Sequence, residues 1–288
     1  MNEAVRQILG RYEIRSLEDS LRALREVMQE IALLGLWRAK FFEKAAFYGG
    51  TALRVLYGLD RFSEDLDFSL LKKGDGFDLF DYSESLKREL ASFGFAVEIE
   101  SIEKRPGAAV QSAFLKADTR TQMITVEFER RLIRQIPRNQ VLKIKLEIDM
   151  DPPPGFSTET RYLLRPVPFA VKTFSLPDLF AGKMHAVLCR EWKSRVKGRD
   201  WYDLVWFVAH HPDLHISHLE QRMRQAGHWA GTLPLTEADF RSLLVQRIEH
   251  VDIDQIRREV EPLVKDVASL EIWSREFFLD VASRVRMV

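Results

Sequence analysis

Cysteine is nearly absent. Cys189 is the single one in 288 residues, so no internal disulfide can form and a reducing cytoplasm is the simplest home. Long apolar runs are missing too: no stretch approaches the roughly 18–20 residues that a bilayer-spanning helix needs, so no membrane partner is expected. The opening stretch MNEAVRQILGRYEIR carries charges throughout and has no apolar core, so it does not read as a secretory signal. Net charge is also missing. The 43 basic residues are balanced by 43 acidic ones, which removes the overall basic excess that usually marks a nucleic-acid binder. Repeats, low-complexity tracts and flexible linkers are not found. What remains is an ordinary globular composition, 46% hydrophobic and 30% charged, long enough for one large or two modest domains.

Charge is nonetheless unevenly placed. Residues 130–145, RRLIRQIPRNQVLKIK, hold six basic residues and no acidic one, and residues 190–200, REWKSRVKGRD, hold five against two. Taken alone, each reads as a solvated face.

The order of patterns along the chain predicts an α/β (α+β) domain over residues 1–172 and a helical domain over 173–288. Ser16 followed by Asp19 is a helix-start signal, and Leu21, Leu24, Val27, Met28 and Ile31 recur at helical spacing. KAAFYGG then reads as a buried strand ending in a tight glycine turn, TALRVLYG as a short helix, and EDLDFSLL as a second strand. FDLFDYSESLKRELASFGF reads as a helix. AVEIESIEK, VQSAFLKA, QMITVEFER and VLKIKLEIDM read as strands, forming a mixed sheet with flanking helices. The run DPPPGFS interrupts both kinds of element, because consecutive prolines continue neither. From Leu179 onward the periodicity is helical, in five or six segments.

The chemistry concentrates between Phe47 and Leu71, in FYGGTALRVLYGLDRFSEDLDFSLL. Side chains alternate faces along a strand, so Asp65 and Asp67 point one way while Leu66 and Phe68 point into the core. Two adjacent carboxylates on one face make a minimal site for a hard cation, and Mg²⁺ (or Mn²⁺) takes one or two of them together with substrate phosphates. Two such ions about 4 Å apart stabilise both the attacking and the leaving oxygen of a phosphoryl-type transfer. KIKLEIDM offers a third carboxylate, Glu147 or Asp149, again on one strand face; Glu147 is the slightly better candidate because Asp149 lies nearer the proline break. Gly49 and Gly50 lead into a helix N-terminus, where free N–H groups and the helix dipole favour an anion. Thr51 is a candidate cap and phosphate donor. Arg54, one turn on, is within reach of the same anion or of a carboxylate. Ser63 reads as a loop cap, with self-modification beside a triphosphate as the lesser alternative. The plain alternative is that Asp65 and Asp67 are structural partners of Arg61 and Arg54.

A glycine turn followed by a D-x-D strand resembles the signature of the nucleotidyltransferase superfamily. More closely, GGTALR followed by RFSEDLDF is similar to the AbiEii/AbiGii toxin family of nucleotidyltransferases, which includes the MenT toxins. The resemblance continues in DLFAGKMHAVLCREWKSRVKGRDWYDLVWF and covers most of residues 40–210. It implies that Lys183 contacts a nucleoside triphosphate (NTP), a part a lysine ammonium suits chemically. It also implies that Asp203 or Asp200 completes the site as orienter or base. It further implies a cytoplasmic growth-inhibiting toxin of a toxin–antitoxin or abortive-infection system, with the 3′ end of a tRNA as acceptor and a separate antitoxin protein as partner. Rival readings are a transferase acting on small molecules or protein side chains, and a non-catalytic nucleotide-binding module.

Other features read more plainly. The stretch HHPDLHISH gathers four of the seven histidines, but Pro212 breaks the spacing and no cysteine lies nearby in sequence, so a surface turn is expected rather than a zinc site. Cys189 has no triad-like context and reads as inert. Trp201, Tyr202 and Trp206 have helical spacing and read as core.

Overall fold

The computed structural model describes residues 2–74, 76–101, 109–190 and 196–288. It divides into two compact units: Met1–Tyr57 with Glu64–Pro152 and Thr160–Thr173, and Gly58–Ser63 with Pro153–Glu159 and Phe174–Val288. The second unit thus takes up two short segments upstream of residue 172. Side-chain bonding explains why: Arg61 is bonded to Asp203, and Ser157 to Asp178.

The first unit opens with helix α1 (Glu3–Leu9) and the long α2 (Leu17–Arg38). The start of α2 is a capping box: the Ser16 hydroxyl accepts from the Asp19 N–H while the Asp19 carboxylate accepts from the Ser16 N–H. There follow β1 (Ala45–Tyr48), α3 (Gly49–Tyr57), β2 (Leu66–Leu70), α4 (Ser83–Ser92), β3 (Glu98–Ser101), β4 (Val110–Asp118), α5 (Thr119–Thr125), α6 (Arg130–Ile133), β5 (Val141–Asp149), β6 (Thr158–Leu163) and β7 (Phe169–Phe174). The seven strands form one mixed sheet in the order β3-β4-β5-β2-β1-β7-β6. β2 is antiparallel to β1 but parallel to β5. One face of β2 is anchored by Phe68, which meets Phe41 edge-on at 4.9 Å and Phe47 at 5.2 Å between ring centroids. Such aromatic pairs add to area burial, and they fix which face of β2 is core.

Two expectations fail here. QMITVEFER is not a strand. Asp118 caps a helix instead, its carboxylate accepting from the Thr121 N–H, so a local cap overrides the β-branched composition. TETRYL, which carried no strand reading, forms β6. Of AVEIESIEK, residues 98–101 form β3, and residues 102–104 lie outside the described residues. So do residues 191–195 of the second basic cluster.

The second unit comprises α7 (Leu176–Cys189), α8 (Gly198–His210), β8 (Asp213–Leu214), α9 (Ile216–Gln225), α10 (Glu237–His250), α11 (Ile253–Val260), α12 (Arg275–Ser283) and β9 (Arg286–Met287). β8 and β9 make a short parallel pair. Phe180 of α7 stacks on Phe207 of α8 at 4.4 Å, and Trp201 meets Phe278 edge-on at 5.2 Å, so the tryptophan is core as expected. Gly198 opens α8 where a Cβ would lie 2.4 Å from the Ile256 carbonyl oxygen and 2.9 Å from Val260. Backbone cannot yield as a flexible side chain does, so Gly198→Ala is expected to cost about 1–3 kcal/mol, measured as a lowered denaturation midpoint. No helix among the described residues is long and apolar enough to cross a membrane.

Candidate active site

In the first unit a row of polar side chains crosses the sheet. The strand registers pair Tyr48 with Asp67, Asp67 with Glu147, and Glu147 with Ser112. Paired positions on neighbouring strands share a face, so Tyr48, Asp67, Glu147 and Ser112 line up across β1, β2, β5 and β4. Asp65 precedes the first residue of β2, and Asp149 lies opposite Ser69, two residues beyond the Asp67–Glu147 pair. Asp65, Asp67, Glu147 and Asp149 are all partly exposed, whereas Leu66, Phe68, Leu146 and Ile148 are buried. The alternation places the carboxylates away from the core, as period-2 strands require.

Like charges at paired positions of adjacent strands repel. Here a cation stands beside them: Lys145 Nζ lies 2.6 Å from Glu147 Oε1. The Ser112 hydroxyl donates to the same carboxylate oxygen at 3.3 Å. Oxygen donors on adjacent strands, with no sulfur or imidazole among them, are the donor set a hard divalent ion prefers.

The glycine turn is fitted to this row. Gly49 has φ +82°, and a Cβ there would lie 2.5 Å from Asp67 Oδ2. The bare backbone at the start of α3 therefore lets the Asp67 carboxylate lie directly against it. Gly49→Ala is expected to cost about 1–3 kcal/mol from the left-handed backbone alone and to displace the Asp67 carboxylate. A melting curve and a nucleotide-binding titration of the same variant check both parts.

Thr51 is not the helix cap expected of it, and Arg54 takes the carboxylate among its two alternatives. Thr51 lies within α3, not ahead of it, is fully buried, and its hydroxyl donates to the Asp65 carbonyl. It braces the residue before β2, helped by Gln29, whose side-chain amide donates to the Glu64 carbonyl at 2.8 Å. Arg54 reaches a carboxylate: its guanidinium donates to Glu26 at 2.8 and 3.4 Å, and the Tyr12 hydroxyl donates to Glu26 at 2.6 Å. Gly50 is buried inside α3.

The second unit contains a buried charge cluster. Arg61 and Asp203 are 1% and 0% exposed, and the guanidinium donates through Nε and Nη2 to the two carboxylate oxygens at 2.6 and 2.7 Å. Lys183 Nζ lies 2.7 Å from Asp203 Oδ2. Burial alone would raise the Asp203 pKa, but the charges and hydrogen bonds of Arg61 and Lys183 outweigh it and hold the carboxyl below the ordinary aspartate range. Asp203 therefore bridges two cations, Lys183 on one side and Arg61 on the other. Asp200, also buried, ion-pairs with Arg190. Ser63 is partly exposed in the segment between α3 and β2. Of the two arginines named as structural partners for the D-x-D strand, Arg61 is bound to Asp203 and Arg54 to Glu26.

The histidine-rich stretch is not simply a surface turn. His218 is fully buried. His215 Nδ1 lies 2.6 Å from Asp178, which also accepts from Ser157 and Ser175. Cys189 is buried, and burial pushes its thiol up to about 11. The sequence reading missed Tyr48, Ser112 and Lys145. Lys145 had a signal, because it lies two residues before Glu147 on an alternating strand; Tyr48 and Ser112 join the row only through strand register.

A family model described as the nucleotidyl transferase AbiEii toxin of type IV toxin–antitoxin systems matches residues 31–281. Among solved structures, the chain is similar to JHP933 from Helicobacter pylori over 91% of this chain and 90% of that one, at 17% identity and a TM-score of 0.49. It is similar to a second H. pylori chain, described as a candidate nucleotidyltransferase, over 91% of each, at 18% identity and a TM-score of 0.49. No curated protein matches.

Proposed function

We propose, for a chain that belongs to the AbiEii family of nucleotidyltransferase toxins from type IV toxin–antitoxin systems, that it transfers a nucleoside monophosphate from an NTP to the 3′ end of a tRNA, with pyrophosphate leaving. The observation that carries this reading is the row across the sheet. Asp67 and Glu147 sit in register on parallel neighbours, and Gly49 is left without a side chain where Asp67 needs the space.

Asp65, Asp67 and Glu147 hold Mg²⁺ or Mn²⁺. Glu147 is preferred to Asp149 because it is the residue opposite Asp67. The bound ion supplies charge neutralisation at the phosphates. The α3 N-terminus offers its first N–H groups to a phosphate. Lys183, oriented by Asp203, is the ammonium partner of the triphosphate. Most of the rate gain in such a site comes from positioning and electrostatics, with no covalent intermediate required of the protein. The family also implies an antitoxin that opposes the enzyme, and the proposed location is the cytoplasm.

The test offers purified protein total tRNA and cell lysate with each α-³²P-labelled NTP in Mg²⁺. Label on tRNA that vanishes in Asp65→Ala/Asp67→Ala supports the reading. Label on protein or small molecules alone replaces the acceptor. Bound NTP without any transfer overturns the enzymatic reading in favour of a binding module.

A further inference from the structure

Outside the carboxylate row, a second set of metal-ligating side chains converges in the helical unit. His185 and Cys189 stand one turn apart on α7, the i and i+4 spacing that puts two side chains on one helix face. His228 follows α9, and one ligand atom from each of the three lies within 4.8 Å of the other two. The His185 and His228 rings lie 6.1 Å apart between centroids, at 74°.

The third position is fixed by backbone. Gly227 has φ +76°; its N–H donates to the Arg224 carbonyl at 3.0 Å and the His228 N–H donates to the Met223 carbonyl at 2.8 Å. These are the paired bonds of a Schellman motif ending α9. α9 packs on α7, so the motif holds His228 beside the end of α7. One further observation points to a ligand: His185 Nε2 is buried with no hydrogen-bond partner, a state that ordinarily costs about 1–3 kcal/mol.

We propose that His185, Cys189 and His228 form a binding site for a transition-metal ion of the Zn²⁺ class. Two imidazoles and a thiol, with no carboxylate, suit a borderline-soft ion and not Mg²⁺ or Ca²⁺. Tetrahedral Zn²⁺, with bonds of about 2.0–2.3 Å, needs donors roughly 3.4–3.6 Å apart, so rotamer adjustments of about an ångström close the site. Binding deprotonates the Cys189 thiol; the S–H bond breaks, a sulfur–metal bond forms, and the proton passes to water. Three protein ligands leave a fourth position for water. Arg222, Arg190 and His218 also face His185, and Arg247 faces Cys189. The positive field of the three arginines works against cations held by charge alone and leaves donor softness as the basis of selection. The bound ion ties the end of α7 to the segment after α9.

The test is a Co²⁺ titration of the full chain, stripped with a chelator and kept in excess Mg²⁺ so that oxygen-donor sites are masked. The expected result is one equivalent of Co²⁺ with a near-ultraviolet sulfur-to-cobalt band and the visible bands of a tetrahedral site, both displaced by Zn²⁺. Cys189→Ser removes the near-ultraviolet band. His228 is exposed, so His228→Ala keeps the metal-free melting temperature, while its Co²⁺ affinity falls by more than the roughly 10–100-fold typical of losing an outer-shell partner. A wild-type spectrum without the sulfur band, or unchanged affinity in His228→Ala, overturns the proposal.

Discussion

Asp67→Asn is expected to lower nucleotide transfer by at least about a thousandfold while leaving the melting temperature nearly unchanged. The substitution keeps the shape and removes the charge at the centre of the polar row, where Asp67 lies against Gly49 and opposite Glu147. An ion that neutralises transferring phosphates is worth several kcal/mol of barrier, and each 1.4 kcal/mol is about tenfold in rate. Stability should hold because Asp67 is only half-buried, and losing one of two like charges on adjacent strands relieves repulsion. Single-turnover rates and thermal melts on the same preparation separate the two effects. A variant that melts early and loses activity in proportion would assign Asp67 to structure.

The second large effect is on stability. Asp203→Ala leaves the Arg61 guanidinium buried without its counter-charge and removes the anion beside Lys183. Breaking a buried ion pair from one side costs about 3–5 kcal/mol, so the helical unit is expected to unfold at clearly lower denaturant. An Arg61→Met/Asp203→Leu double variant should recover part of that loss, since apolar replacement of both partners removes the uncompensated charge. The pH dependence follows from the sign of the shift. Asp203 has a folded pKa below the ordinary aspartate value of 3.8, so its contribution is complete above pH about 4 and is lost as pH falls through the depressed value. Acid titration of unfolding should therefore steepen below pH 4 in wild type and less so in the double variant.

What could be read in the sequence was local. The glycine turn, the short helix and the D-x-D strand lie within one continuous stretch, and period-2 alternation alone put Asp65 and Asp67 on the face opposite Leu66 and Phe68. VLKIKLEIDM gave its strand for the same reason. The partnership of Asp67 with Glu147 was not legible as a register, because parallel pairing of β2 with β5 is a long-range choice that alternation leaves open. QMITVEFER was misread because one cap residue, Asp118, outweighs a run of strand-favouring side chains. Thr51 was misjudged by three helix positions, enough to turn a surface hydroxyl into a buried brace. The His185, Cys189 and His228 group was half legible, as an i, i+4 pair on a helix; the third member arrives by the packing of α9 on α7.

The most direct measurement is a crystal structure of the full chain with Mn²⁺ and a non-hydrolysable NTP, read by anomalous scattering. The expected result is a manganese peak within about 2.1 Å of carboxylate oxygens from both Asp67 and Glu147, with the triphosphate on the same ion. A triphosphate bound with no metal at Asp67 and Glu147 would contradict the account, and the polar row across the sheet would then be structural.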